Sequence, residues 1–280
     1  MRFICCPCHL SSTVTPPTAG VVEPQALDAA LALGVGVVSV MWVNNEVGVV
    51  QPITLLAARC AAAGVAFHSD AVQALGKVPV SFRDSGCTML SISGHKIGAP
   101  KGVGALLVHD RRTVEAIVHG GGQQFGLRPG TENVPGIVGF GKAVTLAVAE
   151  QAELAGRLAA LRDTLERQVL AIVPDAVIHG SRAERAPHIA NVSIPGTDSE
   201  AMLMHLDLAG IACSAGSACS TGAVEPSHVL SAMGVSHDLG VAALRFSFGR
   251  DSTPEDVDGV IAAMPTIVEK VRALAAVLHR

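Results

Sequence analysis

The stretch GVAFHSDAVQALGK, residues 64–77, decides how the chain is read. Its VAFHSD portion is a short apolar run that ends on a carboxylate, Asp70. Gly64 precedes it and closes a helical segment, Pro52 to Ala63, which carries proline near its first turn. A helix delivered through a glycine into a buried strand is half of a βαβ unit. The alternation continues on both sides. Upstream, VEPQALDAALAL reads as a helix and GVVSVMWV as a buried strand ending at Asn44, Asn45 and Glu46. Downstream, TMLSIS and GALLVHD read as two further short strands. The pattern predicts an α/β fold with a mostly parallel sheet flanked by helices.

The C-terminal half reads differently. A long amphipathic helix is expected from Gly141 to Val173. AVIHG, HIANVSI, GIACSA and ALRFSFG then follow as strands, and Pro254 opens a helix running toward Leu278. This predicts a smaller C-terminal α+β domain. The expected organisation is an atypical, disordered start at residues 1–20, a partial large α/β domain, the cofactor-binding one, at 21–145, and a small domain at 146–280 that carries the Cys219 loop.

Composition narrows the function. The formal net charge is -4 with no block of like charge, which argues against nucleic acid as a partner. The longest uncharged apolar run, Ala29 to Val43, is too short for a membrane span and reads as a helix end followed by a strand. The opening MRFICCPCHL is broken by Pro7 and does not read as a signal peptide. Seven cysteines, three of them crowded at Cys5, Cys6 and Cys8, do not make a disulfide framework, so a reducing cytoplasm is the expected setting. Cys5, Cys6 and Cys8 lack the second ligand pair of a zinc site.

In open α/β sheets functional residues gather at the carboxyl ends of strands. Four polar clusters fall there: Asn44-Asn45-Glu46, His68-Ser69-Asp70 with Gln73, Ser93 to Lys96, and Cys219. Lys96 is the odd one, because no acid lies within five positions of it on either side. Taken alone, Asp70 could cap a following helix and Lys96 could occupy a surface turn. Together they match the needs of pyridoxal phosphate. A lysine holds its aldehyde as a Schiff base, and a carboxylate keeps its ring nitrogen protonated. Ser93 and His95 can donate to the phosphate, while Gln73 and Asn45 can reach the ring hydroxyl. Cys219 sits in SAGSACSTGAVEP, a small, polar, glycine-containing segment that should form a mobile loop exposing its thiol.

Six motifs in order carry a resemblance: VNNEVGVVQPI, FHSDAVQALGK, SISGHKIGAPKGVGAL, GGGQQFGLRPGTENV, CSAGSACSTGAVEPSHVL and ALRFSFGR. They resemble the cysteine desulfurases of the nitrogen-fixation and iron–sulfur-assembly branch, which are fold-type I pyridoxal-phosphate enzymes of the class V aminotransferase group. The resemblance covers residue 20 to the C-terminus. It implies sulfur transfer from L-cysteine through an enzyme persulfide to an acceptor such as an iron–sulfur scaffold, with release of alanine.

By the same resemblance, Lys96 is the Schiff-base lysine, Asp70 the partner of the pyridine nitrogen, and Gln73 and Asn45 the ring-hydroxyl contacts. Ser93 and His95 bind phosphate, with His95 counted among the catalytic residues beside Lys96 and Cys219. Thr131 matches a threonine that reaches the phosphate of a second subunit, which implies a homodimer. Arg245, with Asn45, matches the grip on the substrate carboxylate. Cys219 matches the nucleophile, and could also serve as a ligand to an iron–sulfur cluster shared with a scaffold. Cys213 is expected to be buried structure. A selenocysteine lyase and a non-catalytic dimer partner are the alternative functions.

One departure stands out. The family carries a further N-terminal stretch with a Gly/Thr-rich phosphate-binding turn and a histidine that stacks on the cofactor. Nothing before residue 21 matches either, so the fold is expected to be N-terminally truncated. Three readings compete: a mis-called start or frameshift, a gene remnant, and a working short form completed by another chain. Trp42 also stands where relatives carry smaller or polar residues.

Overall fold

The computed structural model describes residues 19–215 and 225–278 of the 280-residue chain. They divide into two compact units. The first contains residues 23–43 and 51–151, and the second contains residues 19–22, 44–50, 152–215 and 225–278. The division is not a single cut in the chain, because the segment Asn44–Val50 belongs with the second unit.

The first unit carries helix α1 (Pro24–Leu31), strand β1 (Val37–Met41), α2 (Ile53–Ala62), β2 (Ala66–Asp70), α3 (Phe82–Ser85), β3 (Met89–Ser93), β4 (Gly104–Val108) and α4 (Val134–Ala149). Its sheet runs in the order β1-β2-β3-β4. β1, β2 and β3 are mutually parallel and β4 is antiparallel to β3. The two parallel pairings follow from the helical crossovers between the strands, while the short 94–103 turn forces the chain to double back. Alternation along β1 and β2 buries Val38, Val40 and Phe67, and Leu56, Ala57 and Cys60 of α2 and Leu90 of β3 are buried as well. Burying such side chains stabilises the unit by about 1.5–3 kcal/mol each.

The second unit begins within α5 (Gln151–Ile172) and continues through β5 (Val177–Ile178), β6 (Ile189–Ser193), α6 (Ser199–Leu208), β7 (Ser214–Ala215), α7 (His228–Ala232), α8 (His237–Val241), β8 (Ala243–Ser247) and α9 (Pro254–Leu278). Its sheet, ordered β5-β6-β8-β7, is antiparallel throughout. One core joins Leu158 and Leu165 of α5, Val192 of β6, Met202 and Leu206 of α6, Leu244 of β8 and Met264 of α9.

The helix expected from Gly141 to Val173 is two helices. α4 starts earlier, where Asn133 caps it by accepting from Gly136 N and Pro135 sits in the first turn. It ends at Glu150 because its last turn is tied to the first unit. Ala147 lies against Gly76, where a Cβ would come within 2.9 Å of the Ala147 Cβ, and the Gln151 amide donates to the Lys77 carbonyl. Among the described residues no helix is long and apolar enough to cross a membrane.

Candidate active site

The first unit brings Asp70 and Lys96 to one edge of its sheet. β2 and β3 are adjacent and parallel, with Asp70 opposite Ser91. Asp70 closes β2, and Lys96 follows five residues after Ser91 in the single turn Gly94–Ile97 at the carboxyl end of β3. Glycine makes that turn. A Cβ on Gly94 would lie 3.0 Å from the Ala99 Cβ, the Val103 Cγ1 and the Val103 carbonyl oxygen, and Gly98 has φ +81°. The Gly94 amide donates to the Val103 carbonyl, and the Ala99 amide to that of Gly94. The backbone is thereby pinned on both sides of Lys96. The lysine side chain itself is exposed and makes no ion pair with a described residue.

Asp70 is half-buried. Its Oδ1 accepts from the Val72 amide at 2.8 Å, and its Oδ2 has no hydrogen-bond partner among the described residues. The carboxylate therefore caps a turn, as a lone strand-end aspartate would, and still offers one oxygen. His95 is exposed, and its Nδ1 shares a hydrogen bond with Ser93 Oγ at 2.8 Å. Gln73 follows in the turn after β2. Thr131 is exposed in the loop before α4. In that loop Gln124 and Phe125 adopt left-handed φ of 48° and 60°, and the Arg111 guanidinium stacks 4.4 Å from the Phe125 ring centre.

Register gives His68, already among the polar strand-end residues, partners that sequence reading did not select. Ser39, His68 and Ser91 form a polar ladder across three strands. His68 Nδ1 bonds Ser39 Oγ and its Nε2 bonds Ser91 Oγ, both at 2.8 Å. Burial pushes the His68 pKa down, while the Asp70 charge pulls it back up. Both partners are hydroxyls, each able to donate to or accept from the ring nitrogen that faces it. The polar alternation of AFHSD signalled this face, but its partners lie 29 and 23 residues away.

The donor set of this unit suits a phosphorylated pyridine aldehyde. It offers an unpaired amine for the aldehyde, a carboxylate oxygen for a ring N–H, and a hydroxyl and imidazole for phosphate. That fit is a match of chemistry at one sheet edge.

The second unit holds Asn45 and Arg245 together. Arg245 lies on β8, opposite Asn191 of β6 and Ser214 of β7. Its Nη1 donates to the Asn45 carbonyl at 3.0 Å. The turn presenting that carbonyl is closed by Asn44, whose Oδ1 accepts from the Glu46 and Val47 amides at 2.9 and 3.0 Å. Glu46 is buried and receives a hydrogen bond from Ser227 Oγ. Desolvation raises its pKa, against opposing pulls from Ser227, His228 and Arg245. Cys213 is half-buried rather than buried. It packs on the core of this unit, and burial pushes its thiol up to about 11, far from a reactive thiolate. Cys219, and the start with Cys5, Cys6 and Cys8, lie outside the described residues. Among the described residues no three His, Cys, Asp or Glu side chains form a metal-binding group.

Residues 12–260 match the family model of class-V aminotransferases. Over 256 residues the chain is 45% identical to a cysteine desulfurase of Gluconacetobacter diazotrophicus, covering 91% of this chain and 64% of that protein. The chain thus spans under two thirds of the length of this relative. A NifS-like protein from Rickettsia africae superposes with a TM-score of 0.84 at 32% identity, covering 91% of this chain and 69% of that one. A structure described as SspA in complex with cysteine superposes at 0.69 and 30% identity, over 85% of this chain and 65% of that one. The α/β fold expected from the motifs, with its mostly parallel sheet, is the fold these neighbours share. On the family match and the motifs together, the chain belongs to the class-V aminotransferase family.

Proposed function

We propose that this chain carries the active-site core of a pyridoxal-phosphate-dependent cysteine desulfurase. The observation that carries the proposal is the pairing of Asp70 and Lys96 at the carboxyl ends of adjacent parallel strands, with a free Asp70 oxygen and an unpaired lysine. The 45% identity to a relative named cysteine desulfurase supports the choice of reaction.

Bound pyridoxal phosphate supplies an electron sink that weakens the carbon–sulfur bond of the substrate. The Lys96 amine would anchor its aldehyde and would take and return the substrate's α-proton. Asp70 would accept the ring N–H and keep that nitrogen protonated. Ser93 and His95 would hold the phosphate, Gln73 and Asn45 the ring hydroxyl. The Arg245 guanidinium binds the carboxylate of L-cysteine as a planar fork. Cys219, as thiolate, attacks the substrate sulfur. The substrate's C–S bond breaks, an S–S bond forms on Cys219, and the substrate carbon takes up a proton to leave alanine. The persulfide then passes to an acceptor protein such as an iron–sulfur scaffold, where Cys219 would also be available as a transient cluster ligand.

Thr131 reaches the phosphate bound by a second copy, so the working form is a homodimer. Exposed Ile117, Val118, Phe125, Val134, Ile137 and Val138, running through the segment that contains Thr131, supply apolar surface of the kind that interfaces bury. The free thiols of Cys60, Cys87 and Cys213 suit a reducing cytoplasm.

The test is incubation with L-cysteine of a chain extended to the length of its relatives, followed by alanine release and persulfide mapping by mass spectrometry. Alanine with a persulfide on Cys219 is expected. A rate much higher with selenocysteine and no persulfide would make the chain a selenocysteine lyase. No alanine from either would leave a non-catalytic dimer partner.

A further inference from the structure

Asn191 is fully buried in the middle of β6, where an apolar residue would be expected. Its Nδ2 donates to the Glu46 carbonyl at 3.2 Å, and its Oδ1 has no hydrogen-bond partner. Directly across the ladder stands Arg245, whose Nε is also buried without a partner. An orphaned acceptor and an orphaned donor thus occupy register-paired positions, with side chains on one face of the sheet. A buried polar group that nothing satisfies is costly, so each orphan calls for a partner. The same guanidinium is fixed at Nη1 by the Asn45 carbonyl, one residue before the Glu46 carbonyl that Asn191 holds. Ser227 fixes the Glu46 carboxylate in turn.

We propose that Asn191 is a positioning residue that aims Arg245 at its carboxylate ligand. Its amide group holds the 44–46 turn that grips Nη1, and its carbonyl oxygen receives Nε–H when the ligand seats the guanidinium. The Nη2 end of the fork, which has no partner among the described residues, is left to the carboxylate. The proposal deepens the desulfurase reading and rests on Arg245 as the substrate clamp. A buried frame fixes the rotamer before binding, so little side-chain entropy remains to be lost.

The test reads the Arg245 Nε–H resonance of the 280-residue chain labelled with ¹⁵N-arginine, assigned by its loss in Arg245→Lys. In the unmodified chain this proton is expected to exchange slowly with solvent and to shift on titration with L-alanine. Asn191→Leu should speed its exchange and weaken L-alanine binding about tenfold, a change equal to roughly 1.4 kcal/mol. A folded Asn191→Leu with an unchanged resonance and unchanged L-alanine affinity would overturn the proposal. If that variant does not fold, the unmodified chain decides: an Nε–H that exchanges as freely as an exposed arginine, or that ignores L-alanine, also overturns it. None of these readouts needs turnover or cofactor, so failure to release alanine would remove the desulfurase reading without touching this result.

Discussion

Lys96, in the turn that follows β3, and Arg245, in the middle of β8, are both basic residues, yet the fold treats them in opposite ways. Around Lys96 the first unit fixes the backbone and leaves the side chain free: Gly94 and Gly98 shape the turn, while the amine is exposed and without an ion pair. Around Arg245 the second unit fixes the side chain itself, through the Asn45 carbonyl and the buried neighbourhood of Glu46 and Asn191. The difference matches the roles proposed for the two residues. A lysine that forms and releases a covalent bond must swing between partners. An arginine that recognises a carboxylate gains from being held in one geometry.

The largest effect that would sharpen this contrast is at Lys96. In the extended chain, Lys96→Ala should abolish the visible absorbance of bound cofactor and all turnover, since Lys96 is the one lysine of the Gly94–Ile97 turn. Retained absorbance would break the assignment. Cys219→Ser should leave cofactor absorbance intact but lower sulfur transfer by roughly two orders of magnitude or more, because a hydroxyl cannot form a persulfide. Cys213→Ser, a site whose thiol is held at about 11, should lose some stability and keep its persulfide label on Cys219. A label lost in Cys213→Ser and kept in Cys219→Ser would reverse the two thiols.

Arg245→Lys tests the other side of the comparison. A lysine ammonium cannot span both carboxylate oxygens as a fork does, so KM for cysteine should rise about 10- to 100-fold, while cofactor absorbance stays. Steady-state kinetics would check it, and an unchanged KM would show that the clamp lies elsewhere.

Much of the fold was legible because its signals are local. Gly64 before VAFHSD, Pro254 at the head of α9 and the strand-like runs of HIANVSI and ALRFSFG needed only neighbouring residues, and the structure forms these elements. The start of α4 at Asn133–Pro135 carried a capping signal that the longer apolar period from Gly141 obscured. The break at Glu150 carried none, because it depends on Gly76 and Lys77 packing against residues some 70 positions later. Lys96 stood out by its lack of acids, and Asp70 by ending an apolar strand. His68, Glu46 and Asn191 did not stand out as a group, because their meaning lies in register. Only the pairing of β6 with β8 sets Asn191 opposite Arg245.

Three effects on stability are smaller. Gly94→Ala would push a Cβ against backbone and side chain at 3.0 Å and should destabilise the first unit by about 1–3 kcal/mol. Gly141→Ala, on the open side of α4 with nothing within 4 Å, should be neutral or slightly stabilising. Thermal melts of the two variants would separate them. In the second unit, burial lowers the His179 pKa to about 4, where its Nε2 bonds Ser193 Oγ. A histidine depressed in the fold takes its proton more readily when unfolded, so stability falls as pH drops from about 6.5 toward 4. The loss is on the order of 2–3 kcal/mol. Denaturant midpoints across that range should decline in the unmodified chain and decline less in His179→Gln.

The most direct test of the central claim is chemical. The extended chain, loaded with pyridoxal phosphate and reduced with borohydride, is digested and mapped by mass spectrometry. A single pyridoxyl label on the peptide that contains Lys96 is predicted. A label on Lys101 or another lysine, with Lys96 unmodified, would contradict the pairing of Asp70 and Lys96 on which the account stands.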